Sequence, residues 1–207
     1  MTFTALLCAL TAPAWASLPP GAGQTAAQSL ADEAEANPRL FMPAIELGVL
    51  WHAEPTVAPG PVFRTSVDYR FRRLNAPFVR LAYDATTARM TQRQGGSPRL
   101  VANLALHDIS VGGGMRAGGP RVQGVAAALV GLQVAEVPSL RGRGDALVVG
   151  VRTQVGALAT VGAGVEAYFS EDAAITLDLS ARASSTPLQP GANPFAGALT
   201  LGLATAL

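Results

Sequence analysis

The sequence has no lysine: all 15 basic residues are arginine, a bias we assign to genome composition and not to function. Charged residues are only 14% of the chain and the formal net charge is +1, so nothing draws it to nucleic acid or to acidic partners. With one cysteine, Cys8, and two histidines it has neither a disulfide framework nor a ligand cluster of the zinc type. No motif asks for a cofactor: Gly112-Gly113-Gly114 lacks the helix and Lys-Ser/Thr that would follow in a phosphate loop, and reads as small residues that relieve crowding in a strand. The apolar run FTALLCAL near the start is far shorter than the roughly 20 residues a helix needs to cross a bilayer. Aromatic residues are scarce too, at 6%. A water-soluble protein this poor in charge would be sticky, whereas a barrel wall facing lipid needs no charge on its outer belt.

What the sequence does have is alternation, clearest from Val161 to Leu207. Ile175, Leu177, Leu179, Ala181 and Ala183 point one way, and Ala174, Thr176, Asp178, Ser180 and Arg182 the other. A strand has side-chain period two, so this is one apolar and one polar face; at helical spacing the leucines would scatter. Phe195, Leu199, Leu201, Leu203 and Leu207 repeat the apolar row over a face of small residues.

The same pattern starts near Leu40. Phe41, Ile45, Leu47, Val49 and Trp51 oppose Ala44, Glu46, Gly48, Leu50 and His52. Phe63, Val67, Tyr69 and Phe71 oppose Arg64, Ser66, Asp68, Arg70 and Arg72, and Val79, Leu81 and Tyr83 oppose Arg80, Ala82 and Asp84. From Arg99 to Ala117 the apolar row runs Leu100, Ala102, Leu104, Leu106 and then changes parity to Ile109, Val111, Gly113, Met115. A parity change predicts a bulge, giving one long strand, or a turn, giving two short ones. Strands over 122–134 and 147–157 lead into the three closing segments. The segments number nine or ten, and barrels of this kind take even numbers, so the count predicts ten. The fold class expected is all-β: an antiparallel, up-and-down transmembrane barrel over 39–207.

Ahead of it, residues 1–16 read as a signal peptide, with Ala14-Trp15-Ala16 as the small-x-small site and cleavage after Ala16. Cys8 would leave with it. Residues 17–38 read as a periplasmic linker with a short acidic helix over 25–36, Thr25 as its N-cap.

Gly164-Val165-Glu166, the strand end Tyr168-Phe169, the turn Ser170-Glu171-Asp172, the alternating strand to Arg182 and the closing Leu199-Thr200-Leu201-Gly202-Leu203 resemble the last part of small OmpA/OmpX-type outer-membrane barrels. The resemblance covers about the last fifty residues well and the rest by pattern. It implies eight strands instead of ten, an outer-membrane address, outer-membrane lipid and the barrel-insertion machinery as partners, and a monomer. The chain departs from the family in ending on Leu207 where an aromatic is usual, and in its sparse girdle of Trp51, Phe63, Tyr69, Phe71, Tyr83, Tyr168, Phe169 and Phe195.

The inward charges form the candidate site: Glu46, Asp68, Asp84, Glu166 and Asp178 against Arg64, Arg70, Arg72, Arg80, Arg116, Arg152 and Arg182. Buried charges are tolerable only when paired, so a near balance of sign predicts ion pairs filling the lumen. The implied function is structural, adhesive or surface-interacting, with specificity in the loops. A narrow channel favouring anions is one alternative, and a soluble lipocalin-like periplasmic carrier another. His107, Asp108 and Ser110 suggest hydrolysis, but neighbours on a strand face opposite ways, so no triad and no enzyme is expected.

Overall fold

The computed structural model describes residues 40–72, 74–92, 100–143, 146–186, 188 and 193–207. The expected signal peptide, linker and short helix lie outside them. Eight strands follow in order: β1 (Leu40–His52), β2 (Gly60–Arg70), β3 (Pro77–Gln92), β4 (Leu100–Gly118), β5 (Val122–Arg143), β6 (Ala146–Tyr168), β7 (Ala173–Ser184) and β8 (Phe195–Thr205). Each pairs with the next, and β8 closes antiparallel on β1. Leu40, Thr205 and the short connections 71–76, 119–121 and 169–172 share one end of the barrel. At that end Asn75, with φ 46°, makes the tight turn after β2, and its side-chain oxygen accepts from the Gly118 amide at 2.8 Å.

Ten strands is therefore wrong, for two physical reasons. β4 neither turns nor bulges: its register with β3 runs unbroken from Pro77↔Met115 to Gln92↔Leu100. Leu104, Leu106, Asp108 and Ser110 all point inward, so the parity change marks what the interior holds, apolar above and polar below. Segments 147–157 and 161–169 are likewise one strand of 23 residues, with Val151, Val155, Val161 and Val165 exposed on one parity.

The wall is inside-out. Leu177, Leu179, Leu201 and Leu203 are each about half exposed on the exterior, with Ile45, Leu47, Leu81, Ile109, Val130 and Leu132. Aliphatic rows that never meet one another across a dry core overturn the soluble carrier and give a membrane-spanning barrel. On β1 the belt from Phe41 to Trp51 climbs about 24 Å, taking about 3.4 Å per residue at a tilt near 45°, which fits a hydrocarbon core. Phe41, Tyr69 and Phe71 cluster at its lower edge, with ring centroids 5.0 and 5.2 Å apart.

Above the belt β3 to β6 rise further and the polarity reverses. Thr87, Arg89, Asn103, Glu136 and Thr153 lie on the exposed outer face, while Ala88, Met90, Leu104, Leu106, Ala135 and Val137 pack inside with Val57 and Leu188. β5 and β6 stay paired up to Arg143↔Ala146, beyond the last β4–β5 pair, Ala105↔Glu136, and the last β6–β7 pair, Leu158↔Ser184. They continue upward as a two-stranded ribbon.

A barrel this narrow brings backbones close. A Cβ on Gly202 would lie 2.2 Å from the Ile45 carbonyl oxygen and 2.6 Å from Glu46 Cγ. Gly202→Val is expected to cost about 3 kcal/mol or more through overpacking, seen as a lower urea midpoint for the detergent-folded protein, whereas Leu201→Val on the lipid face should change it little.

Candidate functional site

The lumen is built by register. Antiparallel pairing sets Glu46 opposite Arg64, Arg64 opposite Asp84, and Asp68 opposite Arg80, all on inward parity. The pairs form directly: Arg64 Nε donates to Asp84 Oδ1 at 2.7 Å and Arg80 Nε to Asp68 Oδ1 at 2.7 Å. Arg64 Nη1 lies 3.4 Å from Glu46 Oε2.

Other contacts cross the barrel. At the lower end Arg70 Nη2 donates to Glu166 Oε2 at 2.8 Å, Arg116 Nη2 to Glu166 Oε1 at 2.8 Å, and Arg116 also to Asp68. Tyr168 donates its hydroxyl to Glu166 at 2.7 Å. The Arg116 guanidinium sits 4.0 Å from the ring centre of inward-facing Phe78, a cation on an aromatic face. Gly114 makes room for that ring, since a Cβ there would lie 2.5 Å from it.

Asp178 joins the lower group to the upper one, 3.8 Å from Arg80 and 3.2 Å from Arg64. Above it Arg182 lies 2.6 Å from Asp84 and donates to Asp108 at 2.9 Å. Thr200 and Thr176 supply hydroxyl hydrogens to Glu46 at 2.6 and 3.3 Å. Arg70 is thus linked to Asp108 through an unbroken series of ion pairs along the barrel axis. Among the described residues it holds five buried guanidinium groups and six buried carboxylates.

Of the residues expected here, Glu46, Arg64, Asp68, Arg70, Arg80, Asp84, Arg116, Glu166, Asp178 and Arg182 meet in this series. Two do not. Arg72 lies past the end of β2 in the exposed turn, where strand parity no longer governs direction. Arg152 keeps inward parity on β6 but stands opposite Val137 in the ribbon above the lumen, where it is exposed.

Asp108 is the member that sequence reasoning missed, because it follows the apolar inward pair Leu104 and Leu106. Its even parity with Ser110 and Arg116 was the available signal. His107 faces the exterior, its Nδ1 2.8 Å from the Tyr83 hydroxyl, while Asp108 and Ser110 face the lumen. The three do not converge. Among the described residues no group of three His, Cys, Asp or Glu is placed to hold a metal ion.

No protein-family model matches the chain, and no curated protein matches it. Solved structures do. Neisserial surface protein A (NspA) superposes with a TM-score of 0.54 at 15% identity, covering 81% of this chain and 97% of that one. Ail, the attachment invasion locus protein of Yersinia pestis, gives 0.46 at 12% identity over 82% and 97%. The N-terminal β-barrel domain of Pseudomonas aeruginosa OprF gives 0.41 at 16% over 82% and 100%. At these identities the likeness is one of fold.

Arg116→Ala is expected to cost about 3–5 kcal/mol, because it leaves Glu166 and Asp68 short of a buried partner. Arg152→Ala should fall within about 0.5 kcal/mol of the parent. Urea unfolding of the barrel in detergent or liposomes measures both.

Proposed function

We propose that this chain, an integral barrel with the fold of the small OmpA/OmpX-type outer-membrane proteins, acts at the cell surface as a structural or adhesive element, and neither conducts solutes nor catalyses a reaction. One observation carries most of this: the lumen is closed twice over. The ion-pair series crosses it from Arg70 to Asp108, and the apolar cluster around Met90, Leu104 and Leu106 covers it from above. An ion entering would have to break several buried pairs at once and then pass a dry layer. A filled lumen leaves the outer surface to do the work. Among the described residues the ribbon of β5 and β6 reaches furthest from the belt, with Val151 and Val155 exposed and its strands extending past the last pairs with β4 and β7. Exposed strand edges with apolar side chains suit contact with another protein surface. The name of the similar Neisserial protein, a surface protein, points the same way.

Export by a signal peptide cut after Ala16, delivery by the barrel-insertion machinery and residence as a single copy in outer-membrane lipid belong to the same proposal. The narrow anion-favouring channel is the competing function, and conductance separates them. In planar bilayers at high salt the purified barrel, shown to be folded by migrating differently before and after boiling, is expected to give no discrete current steps. Reproducible anion-selective steps would replace the structural role with a pore.

A further inference from the structure

At the upper end of the ion-pair series several buried polar atoms have no hydrogen-bond partner, His52 Nε2 and Thr186 Oγ1 among them. His52, the last residue of β1, points inward, and its Nε2 is buried and unpartnered. The register explains what lies beside it. His52 and Arg182 are both paired to Ala196 of β8, one from each side, so only a methyl group separates their rows. Arg182 spends Nη1 on Asp108 and touches Asp84, but its Nε and Nη2 make no aligned hydrogen bond. The imidazole borders a cavity of about 20 Å³ that Thr186, Leu188, Asn193 and Pro194 also line. That volume holds about one water molecule. Leu188 belongs at the same time to the apolar cluster above the lumen.

The charged groups facing His52 among the described residues are few. From β7 there is Arg182, a like charge to the imidazolium. Asp84 on β3 and Asp108 on β4 are both held by Arg182, Asp84 by Arg64 as well, while Asp108 Oδ1 has no hydrogen-bond partner of its own. Gln133 on β5, Leu158 on β6 and Ala196 on β8 complete the lining and carry no charge. The one further carboxylate is Glu54, two residues along, whose oxygens accept from Thr56 Oγ1 at 3.0 Å and from the Asn193 amide at 3.3 Å. It ties the β7–β8 connection to the β1–β2 one.

We propose that His52 is a proton-operated latch on the extracellular mouth of the barrel. Neutral, it completes the packing under the β7–β8 connection. Protonated, it sets a second cation beside Arg182, with no carboxylate among the described residues hydrogen-bonded to it. Two responses relieve this, and both loosen the mouth. The imidazolium moves out into water and displaces Thr186 and Leu188, or it draws Glu54 off the Asn193 amide. His52 is half-buried beside Arg182, so it charges less readily closed than open; closure is fully favourable above the unfolded value of about 6.5 and weakens as pH falls below it, by up to tenfold per unit. Acidification of the medium would then expose the seam between the β1 end and the β8 start without disturbing the ion pairs deeper in the lumen.

Hydrogen exchange on the full-length folded protein in liposomes tests this at the seam amides, Ala53, bonded to the Phe195 carbonyl, and Ser184, bonded to the Pro194 carbonyl. Parent and His52→Gln, an uncharged side chain at every pH, are compared at about pH 7.5 and about pH 5, so the intrinsic pH dependence of exchange cancels. The parent-to-variant rate ratio at the seam is expected to rise roughly tenfold or more on acidification, while the ratio in the β2–β3 wall stays constant. A seam ratio that does not change with pH overturns the latch, and a constant offset reports packing alone and overturns it equally. His52→Asn serves in the same comparison if the glutamine variant fails to fold.

Discussion

A guanidinium group drawn into a narrow lumen must meet a carboxylate there, and most of this molecule follows from that demand. Eight strands leave an interior only as wide as side chains can fill, so water cannot solvate the charges in bulk. Unpaired, each would cost several kcal/mol, and paired they hold opposite walls together. The demand fixes register as well. Asp68 faces Arg80 and Arg64 faces Asp84 only at the observed β2–β3 pairing, and a slip of one residue would turn one strand's two charges into lipid and strand their partners in the lumen. The outer belt adds little such specificity, since one aliphatic side chain facing lipid replaces another at small cost.

The molecule carries two interiors of opposite character, one above the other. In the bilayer the solvent is apolar, so the exterior is aliphatic and the core ionic. Above it the solvent is water, so the exterior is polar and the core is Met90, Leu104, Leu106 and Val137. One strand, β4, passes through both with no break in its hydrogen bonding. The reversal is imposed by surroundings, and the backbone needs no irregularity to accommodate it.

This explains what was legible in the sequence. Alternation located every strand, and parity assigned inward and outward faces correctly through β1, β2, β7 and β8, where one solvent regime covers nearly the whole strand. The charge pairs followed, because inward arginine and carboxylate are intelligible only together. Strand number was not legible. A rule of about ten residues per crossing cut β6 in two, although its valines keep one parity from Val151 to Val165. The parity change at His107 suggests a change of geometry but marks a change of medium, and it hides that Asp108 is among the inward charges. Arg72 and Arg152 show the other limit: parity says which way a side chain leaves the strand, and not whether wall remains on that side to cover it. The cross-barrel partners, Arg116 with Glu166 and Arg182 with Asp108, join residues far apart in sequence and depend on how strongly the closed sheet coils.

The reversal of sides along β3 to β6 also sets the depth at which the protein sits. Tyr83 and His107 mark the last outward positions suited to the headgroup layer, and within two outward rows above His107 come Glu136, opposite Ala105, and the pair Arg89 and Asn103. Sinking further would drag those groups into hydrocarbon, while rising would lift Ile109 and Leu132 into water. Membrane thickness variation is therefore resisted on this side of the cylinder by an ionic collar, while the opposite wall, β7, β8 and β1, relies on Trp51 and Phe195, which tolerate more vertical play. A bilayer that thins or thickens would tilt the barrel before it shifted it.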